Sequence, residues 1–242
     1  EAAVQGFVAG VNAALKLLGR PPLILRRDQG YIGVLIDDLV TKGTNEPYRM
    51  MTSRTEYRLL HRQDNADRRL TPIGRGLGLV SREQAEAVQV KYEAVDREAA
   101  RLERAGTPPS AALDTLLAEK GEPPVRDGAR LADLLRRPRI TYEELAPFDP
   151  ERPPLPREIV REVEITIKYQ GYIDRQLRQV AEMKKLEDRP LPPDLDYEAI
   201  GGLRLEARQK LAQIRPRNLG QASRVSGVSP ADVAVLMVYL GK

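Results

Sequence analysis

Signals that start and stop helices recur along this chain and restrict it to a mainly α fold. A Ser or Thr followed three residues later by Glu or Gln, or at once by Pro, satisfies free backbone N–H groups at a helix start or fits its first turn. Such starts occur at residues 53–56, 71–72, 81–84, 141–144 and 229–230. Proline-rich turns separate the predicted short helices at residues 107–109, 122–124, 147–156 and 189–193.

The first segment is small or apolar on every side. It covers residues 1–18 and has Gly6 and Gly10 four residues apart, which predicts a helix packed closely against neighbours on both faces. A free-standing domain does not end in such a helix, so we expect the chain to begin inside a larger domain. Residues 31–40 carry apolar side chains at helical spacing and predict a second helix that Gly43 closes.

One segment is ambiguous between strand and helix. Residues 163–169 alternate apolar and polar side chains, as a strand does, but helical spacing resumes over residues 173–180. No second strand is evident nearby, and both interpretations stay open on the pattern alone.

The composition excludes several classes of chemistry. The 242 residues include no cysteine and one histidine, His61, so disulfides, thiolate nucleophiles and multi-histidine metal sites are excluded. The sequence shows no run of eighteen apolar residues and no secretory leader, so we expect a soluble intracellular protein without a membrane span. It also lacks a Gly-rich phosphate loop after a strand and a Ser/His/Asp set, and thus a complete active site.

Positive charge is concentrated between residues 41 and 75. Eight basic and four acidic residues, Glu46 among them, give this stretch an excess equal to the net charge of +4 of the whole chain. That is the expected footprint of a polyanion such as RNA. If residues 53–56 start a helix, Arg54, Arg58 and Arg62 project from one face. The alternative is an internal arginine–carboxylate network with Asp37, Asp64 and Asp67.

Residues 65–69 extend the same basic stretch. The sequence Asn-Ala-Asp-Arg-Arg predicts a loop that exposes Arg68 and Arg69, with Tyr48 and Tyr57 as possible stacking surfaces for bases. Tyrosines at helical spacing are more often half-buried in a core, so the aromatic signal adds little by itself.

The carboxyl-terminal residues 219–240 have the cadence of a helix-turn-helix, which favours DNA binding as a rival interpretation. A recognition helix must present polar side chains to base edges, and residues 230–240 offer only Asp232 and Tyr239. We therefore expect the last helix to be buried.

Several segments together resemble the glucose-inhibited division protein A family, the flavin subunit of the tRNA uridine 5-carboxymethylaminomethyl modification enzyme. They are EAAVQGFVAGVNA at residues 1–13, YIGVLIDDLVTKG at residues 31–43, EPYRM at residues 46–50, SRTEYRLL at residues 53–60, KYQGYI at residues 168–173 and RPRNLGQAS at residues 215–223. The resemblance weakens between about residues 101 and 156.

The resemblance implies a cytoplasmic, homodimeric flavoprotein. It implies FAD as cofactor, NADH and methylene-tetrahydrofolate as co-substrates, and modification of the wobble uridine of tRNA with a tRNA-modification GTPase. The family's dinucleotide fingerprint and functional cysteines lie upstream of the matched segments, so we do not expect this chain to be catalytic alone. The resemblance also favours a helix over residues 163–169 and places the first helix next to the flavin.

The sequence therefore predicts a mainly α fold with a remnant of an α/β flavin-binding domain. Residues 1–75 would complete the flavin domain, and residues 76–242 would form a helical domain for tRNA and partner binding. Glu1, Gln5 and Gly6 are the residues predicted nearest the flavin. The predicted tRNA-binding residues are Lys42, Arg49, Arg54, Arg58, Arg62, Arg68 and Arg69. A stand-alone helix-turn-helix protein and a purely structural helical adaptor are the alternatives.

Overall fold

The structure is a computed structural model that describes residues 1–43 and 47–241, and most of them are helical. Within those residues the α-helices are α1 (Ala2–Leu17), α2 (Tyr31–Thr41), α3 (Ala66–Leu77), α4 (Arg82–Leu102), α5 (Ala111–Glu119), α6 (Leu131–Leu135), α7 (Arg157–Glu187), α8 (Leu205–Ile214), α9 (Leu219–Arg224) and α10 (Pro230–Leu240). Strands β1 (Gly106–Thr107) and β2 (Ala129–Arg130) pair antiparallel. The predicted mainly α class is confirmed; Glu46, counted in the basic stretch, lies outside the described residues.

The chain forms two compact units whose limits differ from the predicted boundary at residue 75. The first unit is Glu1–Arg62 with Arg175–Lys242, and the second is Gln63–Asp174. Helix α3 belongs to the second unit because it packs along α4, where Tyr92 donates a hydrogen bond of 2.6 Å to the carboxylate of Asp67. The assignment of residues 1–75 to a flavin domain stays a prediction.

The first unit has its core in the carboxyl-terminal helices. Ile200, Leu211, Leu219 and Leu236 are fully buried within it. Helix α10 starts at a capping box in which Ser229 and Asp232 satisfy each other's backbone N–H groups. The start predicted at residues 229–230 is therefore confirmed.

The second unit is a separate helical core. Its buried residues come from α4, α5, α6, the first half of α7 and the segment between α6 and α7, and Val95, Leu113, Leu134, Ile140 and Val163 are fully buried. The start predicted at residues 81–84 is confirmed by the Ser81 capping box of α4. At residues 141–144 the Thr–Glu hydrogen bonds form, but they precede a short 3-10 helix, Glu143–Phe148.

The predicted helix beginning at Arg54 is wrong. Residues Thr52–Arg54 form one 3-10 turn, which ends because Thr55 is extended at φ −96° and ψ 139°. Glu56 does not reach back to cap a helix, since its carboxylate pairs with Arg27 at 2.8 Å. Arg54, Arg58 and Arg62 therefore do not lie on one helix face.

Two further predictions are wrong for one shared reason, because α3 begins earlier than expected. Residues 65–69 are not an exposed loop but the amino-terminal end of α3, and Pro72 lies inside that helix instead of starting one. The first turn of α3 is held by Asp67, whose carboxylate pairs with Lys91 of α4 at 2.8 Å.

The ambiguous segment at residues 163–169 is helical, as the family resemblance favours. It lies inside α7, where Val163 and Ile167 are buried one turn apart. The first helix is also confirmed as α1, but within the described chain it is not packed on both faces. Only Leu15 of α1 is buried, and Phe7 is about half exposed.

Candidate nucleic-acid interface

Three predicted cations meet at one open, polar cavity in the first unit. Lys42, Arg54 and Arg58 line a cavity of about 630 Å³ together with Ser53, Thr55, Glu56 and Gln176. Ser53, Arg54 and Arg58 are exposed. We call this the cation cavity. The structure thus brings these three side chains together through a folded loop, not through a helix face.

The loop of residues 52–62 is held by hydrogen bonds from its own side chains and from α7. Thr55 is buried, its hydroxyl accepts a hydrogen bond from the Tyr57 N–H at 3.2 Å, and it lies 2.9 Å from Nδ1 of His61. Gln176 of α7 accepts from the Leu59 N–H at 3.2 Å and donates to the Glu56 carbonyl at 3.3 Å. These bonds fix the backbone from which Arg54 and Arg58 project.

A buried network of ion pairs lies next to the cavity and includes Glu56 of its lining. Arg27 is 3% exposed and donates to Asp38 at 2.7 Å, to Asp37 at 3.1 Å and to Glu56 at 2.8 Å. A buried arginine needs such partners, because leaving its charge unpaired costs several kcal/mol. Arg224 of α9 also binds Asp37, with its Nε 2.6 Å from Oδ2 and its Nη2 3.0 Å from Oδ1. The network therefore joins α2, α9 and the cavity loop.

Asp38 links this network to the cations of the cavity. Its carboxylate accepts from Lys42 at 2.9 Å and from the Tyr48 hydroxyl at 2.8 Å, and the Arg54 guanidinium lies 4.9 Å from the centre of the Tyr48 ring. Burial alone would raise the pKa of Asp38, but hydrogen bonds from Lys42, Arg27 and Tyr48 lower it below its usual value. Burial and the bond to Asp38 raise the pKa of Tyr48 to about 12. Asp38 is thus ionised and Tyr48 neutral at pH 7.

Burial also acts on the arginine at the centre of the network. It opposes the charge of Arg27, but hydrogen bonds to Glu56 and Asp38 outweigh it and raise the pKa of Arg27 above its ordinary value. The carboxylates Asp37, Asp38 and Glu56 are occupied by Arg27, so they leave Arg54 and Arg58 available to an anion. Of the carboxylates named in the alternative internal network, Asp37 does pair with arginines, and these are Arg27 and Arg224.

The remaining predicted cations lie in different places. Arg49 is exposed, and Arg62 donates to the Leu59 carbonyl at 2.8 Å. In the second unit, Arg68 pairs with Asp96 at 2.8 Å and lies over the Tyr92 ring, while Arg69 donates to Asn65 at 3.1 Å. Arg68 and Arg69 are therefore tied to the helix pair α3 and α4.

The residues predicted nearest the flavin lie at the start of α1. Gln5 and Gly6 are exposed, and no atom lies within 4 Å of the position a Gly6 Cβ would take. The Glu1 carboxylate accepts a hydrogen bond of 2.7 Å from the Met50 N–H, which lowers its pKa. This surface is open in the described structure, and a cofactor role for these residues stays a prediction.

Comparison with known proteins identifies the chain's family. Residues 82–177 match the family described as tRNA modifying enzyme MnmG/GidA C-terminal helical domain, and residues 179–242 match the MnmG/GidA C-terminal helical bundle. The two matches cover more than half of the chain. This chain belongs to the MnmG/GidA family.

Relatives extend the similarity over the whole chain. The tRNA uridine 5-carboxymethylaminomethyl modification enzymes MnmG of Caldicellulosiruptor saccharolyticus and Geobacillus thermodenitrificans are 55% and 52% identical over 240 residues, which is 99% of this chain. The solved structure of Aquifex aeolicus GidA, crystal form II, is 42% identical, with a TM-score of 0.85 over 100% of this chain. The chain spans 38% of the length of each of these three proteins. It corresponds to the carboxyl-terminal part of the MnmG/GidA family.

Neither a cluster of metal-ligating side chains nor a membrane-spanning helix occurs among the described residues. In the described part of the chain, no three His, Cys, Asp or Glu side chains are grouped as metal ligands would be. Outside residues 44–46 and 242, which are not described, no helix is long and apolar enough to cross a membrane.

Sequence reasoning missed Gln176, which lines the cation cavity, and Arg27, which pairs with Glu56 of its lining. Arg27 and Gln176 lie far from residues 53–58 in sequence, and only the fold brings them there. One signal pointed to Arg27: the adjacent carboxylates Asp37 and Asp38 sit in an otherwise apolar helix and need a buried cation. Gln176 carried no such signal.

Proposed function

We propose that this chain is the carboxyl-terminal part of a flavin-dependent enzyme that modifies the wobble uridine of tRNA, and that the cation cavity binds the tRNA backbone. The relatives' names support the reaction class, 5-carboxymethylaminomethyl modification of tRNA uridine. Resemblance to the family supports FAD, NADH, methylene-tetrahydrofolate, a tRNA-modification GTPase partner, a homodimer and a cytoplasmic location. Glu1, Gln5 and Gly6 remain the proposed flavin-side residues.

One observation carries the RNA-binding part of the proposal. The carboxylates nearest the cavity, those of Asp38 and Glu56, form ion pairs with Arg27. These carboxylates therefore do not neutralise the guanidinium groups of Arg54 and Arg58, which line the open polar cavity. Arginine in this situation binds phosphate through charge-assisted hydrogen bonds. Lys42 lies at the same cavity, where its ammonium group pairs with Asp38 at 2.9 Å.

The residues of this chain do not fit a complete flavin site. The pyrophosphate of a dinucleotide is held by a Gly-rich turn between a strand and a helix. In the described residues, β1 leads to α5 through Pro108, Pro109 and Ser110, and β2 leads directly into α6. Neither connection is Gly-rich. We propose that the flavin is held mainly by protein outside this chain.

The DNA-binding alternative finds no support in α10. Asp232 is buried and paired with Arg204 at 2.6 Å, and Leu236 is fully buried. The exposed side chains of this helix include Val238 and Tyr239, which do not form a set of donors for base edges.

Removal of the two arginines tests the proposal. We expect the double substitution Arg54→Gln and Arg58→Gln to weaken the salt dependence of binding to a tRNA transcript with uridine at the wobble position. The magnitude of the slope of log affinity against log salt should fall by about 1 to 2, because fewer phosphate contacts release fewer counterions. Titration by filter binding at several salt concentrations measures this. Arg97→Gln removes an exposed arginine of α4 and is the matched control. An affinity and a slope equal to those of the control would refute the RNA role and favour a structural adaptor.

A further inference from the structure

A second groove runs along the carboxyl-terminal half of α7 in the first unit. It has a volume of about 840 Å³ and is lined by Arg175, Arg178, Lys185 and Arg189 at the rim, with Met183 and Met237 among the apolar side chains of its floor. We call this the α7 groove. None of these residues is among those predicted from the sequence to bind tRNA.

The charge of the groove is positive and largely unneutralised. Arg175, Arg178 and Arg189 are exposed, and among the described residues none of the three has a side-chain hydrogen bond or ion pair. The groove also contains two carboxylates, and both are already occupied. Glu56 pairs with Arg27 at 2.8 Å, and Glu182 pairs with Lys185 at 2.6 Å.

The α7 groove and the cation cavity share a wall. Glu56 lines both. Gln176, which lines the cavity and bonds to the loop backbone, is the neighbour of Arg175 in α7. The cavity and the groove are therefore adjacent in the first unit, with Arg175 of the groove next to Gln176 of the cavity in the sequence of α7.

The spacing of the cations suits a nucleic-acid strand. Arg175 and Lys185 are ten residues apart in α7, which is roughly 15 Å along the helix axis. Successive phosphates of a duplex strand advance by about 3.4 Å, so the row spans several of them. The floor residues Met183, Leu186 and Met237 are half-buried and offer an apolar surface for a sugar or a base.

We infer that the α7 groove is a second RNA-backbone subsite, continuous with the cation cavity and engaged by the same RNA molecule. This inference rests on the proposed function. Continuity with the cavity and the three unpaired guanidinium groups favour RNA over the other occupant of suitable chemistry, an acidic amphipathic helix of a protein partner.

The test removes charge from the groove without touching the cavity. We expect Arg175→Gln with Arg178→Gln to reduce the magnitude of the salt slope for the tRNA transcript by about 1 to 2. Binding should weaken about tenfold near physiological salt. The melting temperature should not change, because both side chains are exposed and unpaired. Arg175→Lys with Arg178→Lys keeps the charge and should retain most of the slope. Arg161→Gln, an exposed arginine of the same helix outside the groove, is the matched control.

The outcomes separate this inference from the proposed function. If Arg54→Gln with Arg58→Gln weakens binding but the α7 variant binds like Arg161→Gln, the groove is not an RNA subsite and an acidic protein helix becomes its occupant to test. If both double variants bind like their controls, the inference and the RNA-binding proposal fall together. The single variant Arg178→Gln gives the same readout if the double variant melts at a lower temperature.

Discussion

The Asp38 carboxylate accepts hydrogen bonds from Arg27, Lys42 and Tyr48 beside the cation cavity. We therefore expect the free energy of unfolding to depend on its ionisation. Its pKa is lowered in the folded state by hydrogen bonds from Lys42, Arg27 and Tyr48, which overcome the opposing effect of burial. A carboxyl group with a lowered folded pKa stabilises the fold above its unfolded pKa of about 3.9 and loses that contribution as pH falls through the folded value. Acid should therefore weaken the cavity's support.

We predict that Asp38→Asn lowers the free energy of unfolding at pH 7 by about 3 to 5 kcal/mol, because it leaves Arg27 and Lys42 short of a buried partner. The difference between variant and parent should shrink as pH is lowered below about 4. Urea denaturation at a series of pH values measures both effects. Asp194→Asn, an exposed aspartate of the same unit, is the control. A difference from the parent that stays constant down to pH 2 would contradict the assignment.

Helix α10 is the element whose burial the sequence predicted most directly. Leu236 is fully buried in the core of the first unit, whereas Val238, two residues on, is 64% exposed. Substitutions at these two positions of one helix therefore distinguish the effect of burial from that of helix propensity.

Leu236→Asp should destabilise or unfold the first unit, and Val238→Asp should not. Removal of a buried leucine costs roughly 2–5 kcal/mol, and an unpaired buried charge adds to that. A surface substitution on the same helix is expected to stay within about 0.5 kcal/mol plus the change in helix propensity. Thermal melting followed by circular dichroism distinguishes them. Equal melting temperatures for the two variants would mean that α10 is exposed, as the DNA-binding alternative requires.

The elements that the sequence predicted well are those whose signals are local. Ser81 and Ser229 start α4 and α10 because their capping partners lie three residues away, within the same turn. The same motif misled at residues 53–56, where Glu56 is taken by Arg27, twenty-nine residues away in sequence. A capping box read from sequence holds only when tertiary partners do not compete for its carboxylate.

In the candidate site, too, the sequence predicts what depends on local signals or composition and misses what depends on contacts between residues distant in sequence. Lys42, Arg54 and Arg58 were predicted to bind RNA, and the structure places them at one cavity, although the helix face invoked to align them does not exist. The basic excess is a property of composition and could be found without the fold. The positions of Arg27 and Gln176 depend on long-range packing, which no periodicity encodes.

The whole chain corresponds to 38% of the length of its MnmG relatives. The proposed division of labour is that this part contributes RNA contacts while flavin binding depends on protein outside it. Among the described residues, the strand-to-helix connections are Pro-rich or lack an intervening loop, so they offer no backbone N–H cradle for a pyrophosphate.

We therefore predict that the 242-residue chain, purified by itself, does not retain FAD. After incubation with excess FAD and desalting, it should show no flavin absorbance band, while Aquifex aeolicus GidA treated in the same way provides the comparison with a longer relative. Titration of the same desalted preparation with tRNA shows whether the chain is folded and able to bind, so that loss of flavin cannot be attributed to denaturation. A stoichiometric flavin band that survives desalting would mean that these helices form a flavin site by themselves, and the exposed start of α1, with Glu1, Gln5 and Gly6, would then be the first surface to probe by substitution.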